Sequence, residues 1–114
     1  MTSTNVNDRL VELGVRYLQR TASELPLLRE WLGNFTNDPV HALKEIEVIS
    51  HRIRGSGAMF GFAELSDAAG EVEMLAADNA ARHAGTQAEL VAQLQLRIET
   101  LNAAVQDAQR RAQA

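Results

Sequence analysis

Apolar side chains recur at intervals of three and four residues along most of this chain, which is the spacing of one face of an α-helix. The first series runs from about residue 5 to residue 32 and comprises Leu10, Leu18, Ala22, Leu25, Leu28 and Leu32. Pro26 interrupts it, and we expect a kink or a division there because proline lacks a backbone donor and clashes with the preceding turn. The glycine- and asparagine-containing segment 33–37 predicts a loop.

A second helix is predicted to begin at Asp38 and Pro39, since aspartate is a favoured N-cap and proline a favoured first helical residue. The inner face of this helix comprises Leu43, Ile46, Ile49, Ser50, Ile53, Gly57 and Phe60. Gly61 should end or bend it, because glycine readily leaves the helical conformation.

Two more helices follow. The third has an inward face of Leu65, Ala68, Ala69, Val72 and Leu75. We expect it to end near Asp78 and Asn79, with 80–85 as a connection. Thr86 and Glu89 have the spacing of a capping box, which predicts the start of a fourth helix. That helix buries Leu90, Leu94, Ile98, Leu101 and Val105 and then gives way to a polar tail.

Short connections between long amphipathic helices predict an all-α fold, an antiparallel up-down-up-down four-helix bundle. The pattern is also compatible with a short extra helix at the N-terminus. The 114 residues suffice for one domain spanning 1–114, with polar tails at about 1–4 and 109–114. These polar ends favour a free-standing, monomeric protein.

Composition argues against several kinds of site and partner. The chain has no cysteine, so disulfides and cysteine-based metal sites are excluded. A formal net charge of −4 gives no support to binding of nucleic acid or an anionic membrane, both of which favour basic proteins. The polar N-terminus lacks a signal-peptide pattern, and no apolar run reaches the roughly 20 residues of a membrane span. We therefore expect a cytoplasmic protein.

Two chemical classes are also disfavoured. A di-iron bundle would carry Glu-x-x-His motifs, and none is formed by His41, His51 or His83, so no metal is expected. The chain has no glycine-rich phosphate loop and too little length for an added nucleotide-binding domain. It is therefore not a self-sufficient histidine kinase.

The most informative segment lies in the second predicted helix. His51, Arg54 and Gly55 stand at positions i, i+3 and i+4, which makes them neighbours on a helix surface. On a wheel of about 100° per residue with Ile46 at the core, His51 lies about 140° away and Gly55 about 180° away. Glycine inside a helix costs up to ~1 kcal/mol relative to alanine, so clearance for another molecule explains an outward Gly55 better than packing does. The same outward sector contains Lys44, Glu47, Val48 and Ala58.

Other residues near this patch have plainer interpretations. Gly57 faces inward and should permit close packing of two helices. Glu47 lies one turn before His51 and could bond the imidazole, but an exposed pair of little consequence is the favoured interpretation. His41 and His83 lack the neighbouring cation and glycine and are predicted to be ordinary solvated side chains.

These residues resemble the histidine-containing phosphotransfer (Hpt) family of bacterial phosphorelays. That family has a four-helix bundle with an exposed histidine, followed by two residues, a lysine, a glycine and, six residues later, a second glycine. His51, Arg54, Gly55 and Gly61 fall on those positions, and Leu65 and Glu73 follow where the family usually has an apolar and an acidic residue. Arg54 in place of lysine keeps the charge but exchanges a compact ammonium for a planar fork.

The resemblance implies a stoichiometric phosphocarrier rather than an enzyme. His51 would accept a phosphoryl group through an imidazole nitrogen from a receiver-domain aspartate or a hybrid sensor kinase, and pass it to another response-regulator receiver domain. Arg54 would steady the added charge and Gly55 would give the partner room. Docking would involve Lys44, Glu47, Val48 and Ala58.

The resemblance also bears on cofactors and leaves one rival function open. The carrier would need no cofactor of its own, because Mg²⁺ would be bound by the receiver. The alternative function is an adaptor or inhibitor that keeps the fold and binds a receiver or kinase domain without being phosphorylated.

Overall fold

The computed structural model describes residues 6–82 and 87–113, which contain helices and two short connections. In chain order the helices are α1 (Val6–Gly33), α2 (Pro39–Met59), α3 (Ala63–Arg82) and α4 (Gln87–Gln113). No strand occurs in these two ranges. The predicted all-α class is confirmed.

The four helices pack in a ring, with α1 and α3 each lying between α2 and α4. Tyr17 of α1 donates a hydrogen bond to the carbonyl of Ile53, whereas the ring of Trp31, further along α1, contacts the ring of His41 at a tilt. The partner on α2 moves backward as α1 moves forward, so these helices are antiparallel. The predicted up-down-up-down bundle is confirmed.

Most of the predicted inward positions form the core. Fully buried members come from all four helices and include Leu18, Leu28, Ile46, Leu65, Val72, Leu94, Ile98, Leu101 and Val105. Ala22, Leu32, Phe60, Leu75 and Leu90 are half-buried at its edge. Leu10, the first member of the predicted helical series, lies in α1 but outside the core, because its side chain is 53% exposed. Phe62, in the α2–α3 turn, lies beside Gly14, so residues of α1 before Gly14 extend past that turn.

Two predicted boundaries, one in α1 and one at the end of α3, differ from the structure. Pro26 lies inside a continuous α1, so the division is wrong, and no separate N-terminal helix precedes α1 in the described part of the chain. Proline removes only one backbone bond, and the burial of Leu25 and Leu28 on either side holds the helix together. Helix α3 runs to Arg82 rather than ending near residue 79.

Helix α4 continues through Gln113, so residues 109–113 of the predicted polar tail are helical. The carboxylate of Asp107 pairs with Arg110 at 3.4 Å and with Arg111 at 3.1 Å, one turn further on. Such pairs stabilise an exposed helix end. Thr86 and His83 lie outside the described residues, so the predictions for them stay predictions.

The two ends of α2 match their predicted signals. The backbone N–H of His41 donates to Oδ1 of Asp38 at 3.1 Å, which is an N-cap, and Pro39 opens the helix. After the C-cap residue Phe60, Gly61 has a φ of +82°, a conformation that side chains other than glycine rarely adopt. These two signals fix the length of the helix that carries His51.

None of the helices described above is long and apolar enough to cross a bilayer.

Candidate functional site

His51 lies in the middle of α2 and its side chain is 65% exposed. The outward direction given by the helical wheel is confirmed for this residue and for most of its predicted neighbours. Exposed members of that sector are Lys44, Val48, Gly55 and Ala58, whereas Glu47 is half-buried. A Cβ atom built on Gly55 would meet nothing within 4 Å, so the surface next to the imidazole is open.

The imidazole of His51 is held by a carboxylate from the neighbouring helix. Oε2 of Glu73, on α3, lies 2.6 Å from Nδ1 of His51. An ionised carboxylate can only accept, so Nδ1 carries the proton and donates it. In the neutral ring this tautomer leaves Nε2 unprotonated, with its lone pair free.

Arg54 binds the second oxygen of the same carboxylate. Its Nε donates to Oε1 of Glu73 at 2.6 Å. Its Nη2 lies 3.3 Å from Nδ1 of His51. Because Nδ1 already donates its proton across the shorter 2.6 Å contact with Glu73, the approach of Arg54 is a close contact between two donors rather than a second hydrogen bond.

Glu73 therefore bridges the histidine and the arginine. Its side chain is only 17% exposed, and the charge of Arg54 offsets its own. With a neutral imidazole, the three side chains carry no net charge. The prediction that Arg54 lies beside the imidazole is confirmed by the 3.3 Å approach of Nη2 to Nδ1, and Glu73 contacts both side chains as well. The carboxylate on the imidazole is that of Glu73 rather than that of Glu47.

One face of α3 contacts Arg54 over two turns. Ser66 donates through Oγ to the carbonyl of Arg54 at 2.8 Å. Gly70, one turn later, lies under the arginine stem, since a Cβ atom built there would be 3.0 Å from Cδ of Arg54. Glu73 then takes the guanidinium. These residues stand at i, i+4 and i+7, which is one helical face.

The backbone of α2 is anchored on both sides at this level. The phenol of Tyr17 donates to the carbonyl of Ile53 at 2.8 Å, while Ser66 takes the next carbonyl along. Burial raises the pKa of Tyr17 above its ordinary value of 10.0, which keeps the phenol protonated as a donor. The position of His51 is thereby fixed by contacts from both neighbouring helices.

Gly57 confirms its predicted packing role. A Cβ atom there would lie 3.0 Å from Cδ2 of Leu65 and 3.1 Å from the phenol oxygen of Tyr17. Both glycines therefore behave as the helical wheel predicts, Gly57 by allowing close packing and Gly55 by leaving the surface open.

Exposed apolar side chains lie on α2 and α3 within about two turns of His51 or Glu73. Val48 is 45% exposed, Met59 is 75% exposed two turns beyond His51, and Met74, which follows Glu73 on α3, is 62% exposed. An open groove of about 540 Å³ lies instead between the start of α1 and the end of α4, and His51 does not line it. Exposed apolar side chains of this kind are typical of a surface that contacts another macromolecule.

Across residues 6–79 and 87–112, no three His, Asp or Glu side chains are grouped as a metal site.

Two parts of the site were not anticipated. The sequence predicts no role for Glu73 beyond its place in the family pattern. It predicts none for Ser66 or Gly70. Their regular spacing with Glu73 on α3 was visible, but such a spacing is ordinary in an amphipathic helix.

The comparisons agree with this geometry. A family model, the Hpt domain, matches residues 12–108. The chain belongs to the Hpt family. No curated protein and no solved structure matches the chain significantly. Hpt domains serve histidine phosphotransfer in phosphorelays, as phosphocarriers rather than enzymes, and work with receiver domains and kinases.

Proposed function

We propose that this Hpt protein is a phosphorelay carrier that accepts a phosphoryl group on Nε2 of His51 and passes it to a receiver domain. The donor is the phosphoaspartate of another receiver, alone or within a hybrid sensor kinase. The observation that carries the proposal is the 2.6 Å contact between Nδ1 of His51 and Glu73. This contact leaves Nε2 as the free nucleophile on an exposed, immobilised ring.

The arrival step follows from this tautomer. The Nε2 lone pair attacks phosphorus, the P–O bond to the donor aspartate breaks, and the bonding electrons leave with the carboxylate. No proton has to move, because Nδ1 keeps its hydrogen. The ring becomes cationic, and the carboxylate of Glu73 stabilises that cation, as a buried aspartate does for histidine in serine proteases.

The departure step uses the same contact. When the acceptor aspartate attacks phosphorus, the N–P bond breaks and its electrons return to Nε2. Because Nδ1 is still protonated, the leaving group is a neutral imidazole rather than an imidazolide anion. Glu73 thereby supports transfer in both directions, which a carrier requires.

Arg54 and the surrounding surface have supporting roles in this proposal. The guanidinium cancels the charge of Glu73, which would otherwise repel an incoming phosphoryl group, and it places positive charge beside the ring. Gly55 admits the partner. Lys44, Glu47, Val48 and Ala58 contact the receiver, with Met59 and Met74 extending the apolar part of this surface. The receiver supplies Mg²⁺ for the transition state.

The test is transfer from a ³²P-labelled receiver, with Mg²⁺ present, to the wild-type chain and two variants. We expect alkali-stable, acid-labile label on the wild type and none on His51→Gln. His41→Gln is the matched control, because His41 is an exposed histidine of the same helix outside the site, and it should label fully.

The rival adaptor function predicts another result. A receiver that binds the wild-type chain stably but never transfers label, in either direction, would show an adaptor and overturn the carrier. Labelling of His51→Gln at the wild-type rate would place the acceptor elsewhere.

A further inference from the structure

We propose that Gly70 is a positioning residue for phosphotransfer, because its missing side chain lets Arg54 lie across α3 and hold Glu73 against His51. This inference rests on the proposed function for its kinetic effect, whereas its structural effect can be measured without any partner. Gly70 contacts neither the imidazole nor a docking partner in this scheme, and it acts through Arg54.

A glycine at this position needs an explanation. Gly70 lies inside α3, where glycine is less favourable than alanine. The atoms that a Cβ would meet all belong to one side chain, with Cδ of Arg54 at 3.0 Å and Cγ at 3.9 Å. The space above Gly70 is therefore filled by the stem of Arg54, and nothing else in the fold requires it.

The stem cannot shift freely, because it is fixed at both ends. At its origin, the carbonyl of Arg54 accepts a hydrogen bond from Ser66 at 2.8 Å. At its tip, Nε binds Oε1 of Glu73 at 2.6 Å. A methyl group at position 70 would push Cδ outward by a few tenths of an ångström or force another rotamer. The contact that breaks is then the one between Nε of Arg54 and Glu73.

Release of the tip would alter the histidine. Glu73 would lose the donor that orients it and cancels its charge, so its second oxygen would no longer be held toward Nδ1. A histidine in water prefers the tautomer with the proton on Nε2. A weaker hold on Nδ1 therefore moves the proton onto the atom that must attack phosphorus.

The experiment compares Gly70→Ala with Gly14→Ala. Gly14 is the matched control, since it is a helix-interior glycine of α1, and its Cβ would meet only Phe62 at an ordinary 3.5 Å. Three quantities are measured: the melting temperature, the tautomer of His51 from its ¹⁵N chemical shifts, and the initial rate of transfer from a phosphorylated receiver.

We expect both variants to melt at or above the wild-type temperature. In Gly70→Ala alone, the Nε2–H tautomer should increase and transfer should slow by about tenfold, because small displacements of a reacting group cost at least this much. In an Arg54→Ala background, Gly70→Ala should change neither the tautomer nor the rate further, because Cδ is gone.

Two results would overturn the inference. One is an unchanged tautomer in Gly70→Ala. The other is an effect of the same size in the Arg54→Ala background. If the wild type takes no label at all, the proposed function fails, and the tautomer measurement still decides the role of Gly70.

Discussion

Glu73 of α3 holds Nδ1 of His51 on α2 at 2.6 Å, although the two residues are 22 positions apart in the sequence. This contact gives the two nitrogens of the imidazole different roles. One carries a proton that stays in place, and the other is free to react. A phosphocarrier needs both properties, because the group it takes must also be given away.

Substitutions of Glu73 should slow phosphoryl transfer, and the decrease should be larger when the hydrogen bond to Nδ1 is lost than when only the charge is lost. Glu73→Gln keeps a carbonyl acceptor for Nδ1 but loses the charge, which costs about 1 kcal/mol and so about fivefold in rate. Glu73→Ala loses the bond entirely, and we expect about a hundredfold decrease. Single-turnover transfer rates measure both. Glu71→Gln is the control, because Glu71 is an exposed neighbour that pairs with Arg97 of α4 and should transfer normally. Equal rates for Glu73→Ala and the wild type would contradict the role of this carboxylate.

The charge at position 54 should matter more than its shape. Arg54→Lys retains a cation that can pair with Glu73, so we expect transfer within about threefold of the wild type. Arg54→Gln leaves the carboxylate uncompensated, and transfer should fall by about thirtyfold, the equivalent of ~2 kcal/mol for a charge-assisted bond. Arg52→Gln is the control, since Arg52 lies on the other flank of α2 and pairs with Glu24 of α1. A lysine variant as slow as the glutamine variant would show that the planar fork itself is required.

Gly55 should affect docking while the fold gains stability. Its Cβ would meet nothing, so Gly55→Ala should raise the free energy of unfolding by up to ~1 kcal/mol through helix propensity. Gly55→Gln should weaken binding to the receiver in calorimetric titration, because the added side chain occupies the surface beside His51. Ala92→Gln is the control, as it adds the same side chain to an exposed site on α4, which does not pack against α2. An unchanged affinity of Gly55→Gln for the receiver would show that Gly55 does not provide space for the partner.

Gly57→Ala should destabilise the bundle. The new methyl would crowd Leu65 at 3.0 Å and the phenol oxygen of Tyr17 at 3.1 Å. Overpacking of this kind costs about 1–3 kcal/mol, which exceeds the gain in helix propensity. Urea denaturation gives the free energy of unfolding. Gly14→Ala, whose methyl has room, should be unchanged or more stable, and a Gly57→Ala variant as stable as Gly14→Ala would refute the tight packing.

The free energy of unfolding should fall in alkaline solution, because Tyr17 loses its proton at a lower pH in the unfolded chain than in the folded protein. Burial raises the pKa of this phenol in the folded protein above its ordinary value of 10.0. Above that pH the unfolded chain has released the proton and the folded one still holds it, so rising pH favours unfolding. Tyr17 is the only tyrosine, so phenolate absorbance should titrate at higher pH in the folded protein than in urea. The pH dependence of unfolding near this value should be weaker in Tyr17→Phe, and coincident folded and unfolded titrations would contradict the burial effect.

Local patterns were sufficient for much of this fold. Asp38 with Pro39 and then Gly61 marked both ends of α2, because caps and turns depend on residues within a few positions of one another. They failed at Pro26, because the burial of neighbouring residues in α1 outweighs the lost backbone bond.

The sequence by itself determined which residues of α2 face outward, because the period of a helix fixes the directions of His51, Gly55 and Gly57 once one core residue is known. Only the tertiary structure decided what the histidine touches. Glu73 and Gly70 reach α2 through the antiparallel register of two helices, and that register is set by the packing of the whole core rather than by any local spacing. The direction of the exposed histidine thus follows from the sequence, and which of its two ring nitrogens is left without a partner depends on the fold.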